Sequence, residues 1–412
     1  MTEQEVDILI IGAGPSGSVA AAYLHQQGFN VKVVEKSKFP RFAIGESLLP
    51  RCMEHFNEVG LLDCLTTQNF QIKKGARFLK EDKSCHFDFK EKHSTGWDWT
   101  WQVPRAKFDE TLTDELQKRG ISISFETEVI HIEFEKDGVS KTTIKTSEEK
   151  TGFISAKHII DASGPGRVIP RFLNLVKPTT SQGNSSIFTH VADINRPEGE
   201  EGTLITFDVV TDEAWLWVIP FSNETTSIGF VGPSEFIDSF SGTPSEKLRK
   251  LLNLSNHYYN RFENIDFLFN PKQFNDFATP MNSLYGNGYT ITGNSAGFLD
   301  PVFSSGVTFA TESGLLAAKL TAKKLQGEAV DWKNDYENHL KQGVSVFKTY
   351  VDEWYSGNLQ KIFFADTINP EIKKQICAVL AGYVWDTSNP FVKNHKRLVK
   401  TLAKVIEIER NS

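Results

Sequence analysis

Cysteine is scarce in this chain of 412 residues: Cys52, Cys64, Cys85 and Cys377 stand far apart, with no CxxC spacing. A disulfide framework or a cysteine-based zinc centre is therefore not expected. The ten histidines show no HxH or HExxH pairing, so they suggest no metal site either. Excess positive charge is also missing. A net charge of -7, with charged residues at 24%, excludes a basic stripe for nucleic acid and implies little beyond solubility. No apolar run approaches the length of a membrane span. The opening "MTEQEVDILIIGAGPSG" ends its short apolar run in glycine, unlike a secretory leader. Repeats and low-complexity linkers are absent. A soluble, reduced, cytoplasmic protein of two to three domains is the expectation.

The strongest motif lies in that same opening. Val6 to Ile11 reads as a strand buried on both faces, and it runs into Gly12, Gly14 and Gly17, spaced GxGxxG. Gly12 permits the tight turn, Gly14 lets a pyrophosphate approach the backbone, and Gly17 lets the next helix pack on the strand. Pro15 and Ser16 open that helix, whose N-terminus faces the phosphates. A second strand, "NVKVVEK", ends in Glu35, where a carboxylate can accept ribose hydroxyls. Strand, glycines, helix, strand and acid in this order predict a dinucleotide site.

Three further segments resemble the glutathione-reductase-like FAD hydroxylases. They are "VPRAKFDETL", which brings Arg105 to the flavin in those enzymes, the returning strand "HIIDASGPGR", and "YTITGNSAGFLDPVFSSGV". The resemblance implies FAD as cofactor. It also implies a Rossmann-like α/β FAD-binding domain, an inserted antiparallel β-sheet substrate domain and a C-terminal helical region. The expected boundaries are 1–71, 103–180 and 270–330 for the FAD-binding domain, 72–102 and 181–269 for the substrate domain, and 331–412 for the helical region. Where the family carries Gly-Asp under the ribityl chain, this chain has Gly293 and Asn294. An amide can still accept a hydrogen bond, more weakly than a carboxylate.

Two tryptophan boxes remain, "WTWQVP" at Trp99 to Pro104 and "WLWVIP" at Trp215 to Pro220. Each puts bulky side chains on one strand face, as ordinary core does. The second, within a run of alternating strands joined by the turn "SNET", resembles the WxWxIP signature of flavin-dependent halogenases, and the first is then the decoy. "FPRFAIGESLLP", with Gly45, Glu46 and Ser47, resembles the halogenase loop beside the flavin. Phe298, Pro301, Ser304 and Gly306 fit the family's F-P-S-G pattern. That pattern implies a halide held by the backbone amides of Ser305 and Gly306. "QIKKGARF" resembles the segment bearing the family's lysine, and alignment on Gly75 selects Lys73 over Lys74. Adjacent strand residues face opposite sides, so one lysine is expected inward and the other in solvent.

Tryptophan halogenases place a glutamate where this chain has Phe303, so the likeness is closer to the phenol and pyrrole group. The resemblance implies reduced FAD, oxygen and halide acting on an electron-rich aromatic small molecule. Trp215 and Trp217 would shield the substrate, and Lys73 would deliver the oxidant. Partners implied are a separate flavin reductase and, for some members, an acyl-carrier protein; the basic "KNHKRLVKTLAK" suits an acidic carrier but reads first as a solvated helix face. Alternatives are an FAD-dependent reductase or dehydrogenase resembling the geranylgeranyl reductases, an aromatic hydroxylase, and a non-catalytic flavin binder.

Overall fold

The computed structural model describes residues 3–176, 183–275, 283–297 and 300–411. Its first sheet is built around Glu3–Ile11, whose Ile8, Leu9, Ile10 and Ile11 are all buried, as a strand covered on both faces requires. Val31–Val34 and Thr151–Asp161 flank it in parallel, and Ser122–Ser124 and Tyr289–Ile291 continue the parallel order on either side. The C-terminal ends of these strands converge on the glycine turn, the usual seat of a ligand on an open parallel sheet. Helix Pro15–Gln26 packs against helix Gly306–Leu325. Gly314 makes that contact close: a Cβ there would stand 2.4 Å from the Ser16 carbonyl oxygen.

A second, seven-stranded sheet runs Lys272–Asn275, Asn184–Ala192, Thr225–Pro233, Trp215–Pro220, Thr206–Val209, Gly75–Lys80, Lys83–Asp88. Every neighbour is antiparallel except the parallel pair Thr206–Val209 and Gly75–Lys80. The "SNET" hairpin forms as expected, with Trp217 opposite Gly229. That glycine has a steric reason, since a Cβ there would lie 2.4 Å from the Trp217 ring. The edge strand Lys272–Asn275 pairs through its backbone with Asn184–Ala192 in this sheet.

Between the sheets, Gln71–Lys73 and Thr100–Gln102 form a two-stranded antiparallel ribbon. The flavin-loop segment continues it: the Val103 amide donates to the Glu46 carbonyl at 2.7 Å, and the Leu48 amide to the Trp101 carbonyl at 3.0 Å. The C-terminal part is helical, including His339–Tyr355, Asn358–Phe363, Pro370–Leu380 and His395–Asn411. Its inner faces share one core with the second sheet, where Trp354 and Phe363 pack on Phe78. No helix among the described residues is long and apolar enough to cross a membrane.

Candidate active site

A cavity of about 590 Å³ runs from the end of the second parallel strand, past the glycine turn, to the tryptophan strand. Glu35, Gly12, Gly14, Pro15 and Ser16 line one end; Arg105, Gly45, Glu46 and Ser47 the middle; Gly293, Asn294, Gly306, Trp215 and Trp217 the remainder. The three motif glycines differ in what surrounds them. At Gly12 (φ +102°) a Cβ would lie 2.4 Å from the Ala162 carbonyl oxygen, and at Gly17 2.0 Å from the Gly12 carbonyl oxygen. At Gly14 a Cβ would meet only Arg41 Nη2, at 3.7 Å. Protein packing forbids a side chain at the first two positions, whereas the space over Gly14 suits a phosphate approaching the backbone.

Individual residues hold this cradle. Glu35 Oε2 accepts from the Ala13 amide (3.0 Å) and Oε1 from the Ser37 amide (2.8 Å), which orients its carboxylate along the cavity wall. Ser16 Oγ donates to Thr292 Oγ1 at 2.8 Å, tying the glycine turn to the segment that carries Asn294. Arg105 makes a two-pronged pair with the buried Asp109, both bonds 2.9 Å, and reaches the Ile44 carbonyl at 2.6 Å. Arg41, which the sequence pattern did not single out, joins Asp109 at 3.2 Å and places a second cation beside Gly14. Its signal was its place in the loop "FPRFAIGES". Asp161 accepts from the Ser163 and Ile169 amides and so fixes the turn after its strand, and burial pushes its carboxyl up. Glu46 turns toward the second sheet, its Oε1 2.6 Å from His190 Nε2.

At the tryptophan end, Trp215 and Trp217 are both buried and both line the cavity. Trp217 Nε1 donates to Ser227 Oγ at 3.0 Å. Trp215 Nε1 donates to the Tyr355 hydroxyl at 3.1 Å, which in turn donates to Asp300 at 2.9 Å. Asp300 also accepts from the Val302 amide and so caps the short turn Pro301–Phe303. Nothing in the helical pattern around Tyr355 marks it, because only the folded chain brings that helix to the tryptophan strand. Ser304 follows in the left-handed region (φ +56°), and helix Gly306–Leu325 begins two residues later. Ser304 and Gly306 line the cavity, while Ser305 is buried as the residue before the helix. Amides at such a start have no intrahelical acceptor and favour an anion. Phe298 lies outside the described residues. Phe303 packs on Phe78, Tyr350 and Trp354.

Lys73 lines a smaller cavity of about 370 Å³, together with Gln102, Glu200 and Thr203. Ile205 lines both cavities. Lys73 is 3% exposed and Lys74 is exposed, the alternation expected of a strand. Lys73 Nζ donates to Ser47 Oγ (2.8 Å) and to the Leu48 carbonyl (2.9 Å), both in the flavin-loop segment. Burial brings its amine down to about 7. The first tryptophan box takes a different place. Trp101 packs with Phe70 and Trp99, lining neither cavity, but Gln102 donates from Nε2 to the carbonyl of Pro220, the last residue of the second box, at 2.5 Å. No group of acidic, histidine and cysteine side chains among the described residues could hold a metal.

The comparisons agree with this geometry. The family described as FAD binding domain matches residues 5–246. A 1H-pyrrole-2-carbonyl-[peptidyl-carrier protein] brominase of Pseudoalteromonas luteoviolacea is 26% identical, covering 92% of each chain. A tryptophan 2-halogenase of Chondromyces crocatus is 30% identical over 78% of this chain and 62% of its own length. A solved flavoprotein/dehydrogenase of Cytophaga hutchinsonii superposes with a TM-score of 0.97 at 48% identity, covering 99% of this chain and 100% of that one. A cavity that runs from Glu35 over the open Gly14 to the tryptophan strand suits the cofactor of such proteins, and the chain belongs to the FAD-binding-domain family, as an FAD-dependent oxidoreductase similar to the flavin-dependent halogenases.

Proposed function

We propose that this enzyme halogenates an electron-rich aromatic ring of the phenol or pyrrole type. The observation that carries the proposal is Lys73: a desolvated amine, lining a second cavity, hydrogen-bonded to the loop that lines the first. Bound in its reduced form, FAD would supply oxygen activation and oxidation of the halide. Gly12, Gly14, Pro15 and Ser16 would hold its pyrophosphate, with Gly17 letting the helix pack close behind them, Glu35 its ribose, and Asn294 its ribityl chain. Arg105, with Asp109, supports the loop Gly45–Ser47 against the flavin. Amides at Ser305 and Gly306 would hold the halide, and Trp215 and Trp217 would keep the aromatic substrate out of the larger cavity. Lys73 would then bind the resulting oxidant and present it to the ring.

On this reading the flavin-binding part comprises 1–71, 103–180 and 270–330, apart from the edge strand at 272–275, and the rest divides as expected from sequence. A separate reductase supplies the reduced flavin. Because the Pseudoalteromonas relative acts on a pyrrole carried by a peptidyl-carrier protein, a carrier-tethered ring belongs in the test beside free phenols. The described dehydrogenase of Cytophaga hutchinsonii favours a second reading, an FAD-dependent dehydrogenase. Reduced FAD, chloride or bromide and a panel of free and tethered rings, analysed by mass spectrometry with and without oxygen, separates the two. Oxygen-dependent halogenated product supports the halogenase. Oxygen-independent discharge of the reduced flavin into an organic acceptor, without halogenated product, overturns it.

A further inference from the structure

The two strands of the Lys73 ribbon pair Lys73 with Thr100 and Gln71 with Gln102. Directly opposed residues, and residues two apart, project to one side of an antiparallel ribbon. Lys73, Thr100 and Gln102 therefore share one face, on which Thr100 and Gln102 are wholly buried. The orientation of the Gln102 carboxamide follows from its partners. Its Nε2 donates to the carbonyls of Pro220 (2.5 Å) and Thr203 (3.3 Å), and a flipped amide would set oxygen against both. Gln102 Oε1 is thereby left buried without a partner, and Thr100 Oγ1 has only the buried Cys52 thiol beside it, to which its hydroxyl can donate, so its lone pairs receive no hydrogen bond. Orphan buried acceptors are uncommon because they forfeit their hydrogen bonds to water. Two of them stand on the face of a lysine that, when protonated, has a third N–H beyond those given to Ser47 and Leu48.

One donor and two acceptors, enclosed and on one face, match a small molecule bearing a single O–H. We propose that Gln102, assisted by Thr100, positions the hypohalous acid at Lys73. The acid donates its O–H to Gln102 Oε1 and accepts at oxygen from Lys73 Nζ, which leaves its halogen free for the ring in the smaller cavity. This rests on the halogenase reading. It also gives the first tryptophan box a part in the site, because Gln102 is anchored on the end of the second box.

The test compares parent, Gln102→Met and Thr100→Val holoenzymes with reduced FAD, oxygen, bromide, a phenol and a 1,3-diketone that traps free oxidant. Thr100→Val preserves shape and disturbs neither anchor of Gln102, so it remains informative should Gln102→Met fold poorly. Expected for Gln102→Met is a roughly tenfold loss of brominated phenol, the equivalent of about one hydrogen bond. Brominated trap should rise to match at equal oxygen consumption. Thr100→Val should move the partition the same way by about threefold, a weaker hydrogen bond. Phenol and trap products falling together, or an unchanged partition in both variants, overturn the assignment while the halogenase reading stands. A parent that brominates neither overturns both. Independently of turnover, a crystal structure of the flavin-free protein should show one water bridging Lys73 Nζ and Gln102 Oε1, and a dry site overturns the proposal.

Discussion

Replacing Lys73 with Met preserves most of the side-chain volume and removes only the amine, so it isolates the ionisation from the packing. In the folded protein burial brings that amine down to about 7, against 10.5 for a lysine amine in water. The difference corresponds to about 5 kcal/mol between the limits of low and high pH, taking roughly 1.4 kcal/mol per pKa unit. Between these two pKa values the unfolded chain holds a proton that the folded chain does not, so the stability contribution of Lys73 rises with pH. The full advantage is reached above about 10.5, is lost as pH falls toward about 7, and is flat below that. Urea denaturation of parent and Lys73→Met from pH 6 to 10 should therefore show the parent gaining on the variant by up to about 1.4 kcal/mol per pH unit above pH 7. The bonds lost to Ser47 and Leu48 offset the curves by a pH-independent amount of about 1–3 kcal/mol. Parallel stability curves would refute the desolvated amine. In the same variant, halogenated product should vanish while oxygen still reoxidises the flavin, because the lysine acts on the oxidant after it forms.

Gly14→Val has an ordinary φ of -71° and room for its Cβ, so the fold should survive while FAD affinity falls at least about tenfold as the side chain fills the phosphate cradle; titration of the purified variant with FAD checks this, and an unchanged dissociation constant would sink the cradle assignment. Asn294→Asp should bind FAD more tightly, by roughly ten- to a hundredfold, if the side chain accepts from the ribityl chain, since hydrogen bonds to charged groups contribute about 1.5–3 kcal/mol; fluorescence titration that shows equal or weaker binding would remove Asn294 from the site.

Local chemistry made one half of this protein legible. A strand buried on both faces, three glycines with distinct steric duties and an acid at the end of the next strand are encoded within residues 6–35; Gly12, Gly14 and Glu35 line one cavity, and Gly17 packs against the Gly12 carbonyl. The facing of Lys73 and Lys74 was also legible, because strand residues alternate whatever lies around them. Tertiary structure decided what depends on residues far apart in sequence. Tyr355 lies 140 positions from Trp215, and only the packing of the C-terminal helices on the second sheet brings its hydroxyl to that indole. Gln102 lies 118 positions from Pro220, and no periodicity could show that the box set aside as a decoy anchors on the end of the other. A repeating pattern reports which face of an element is buried; which distant element covers that face depends on how the sheets and helices dock.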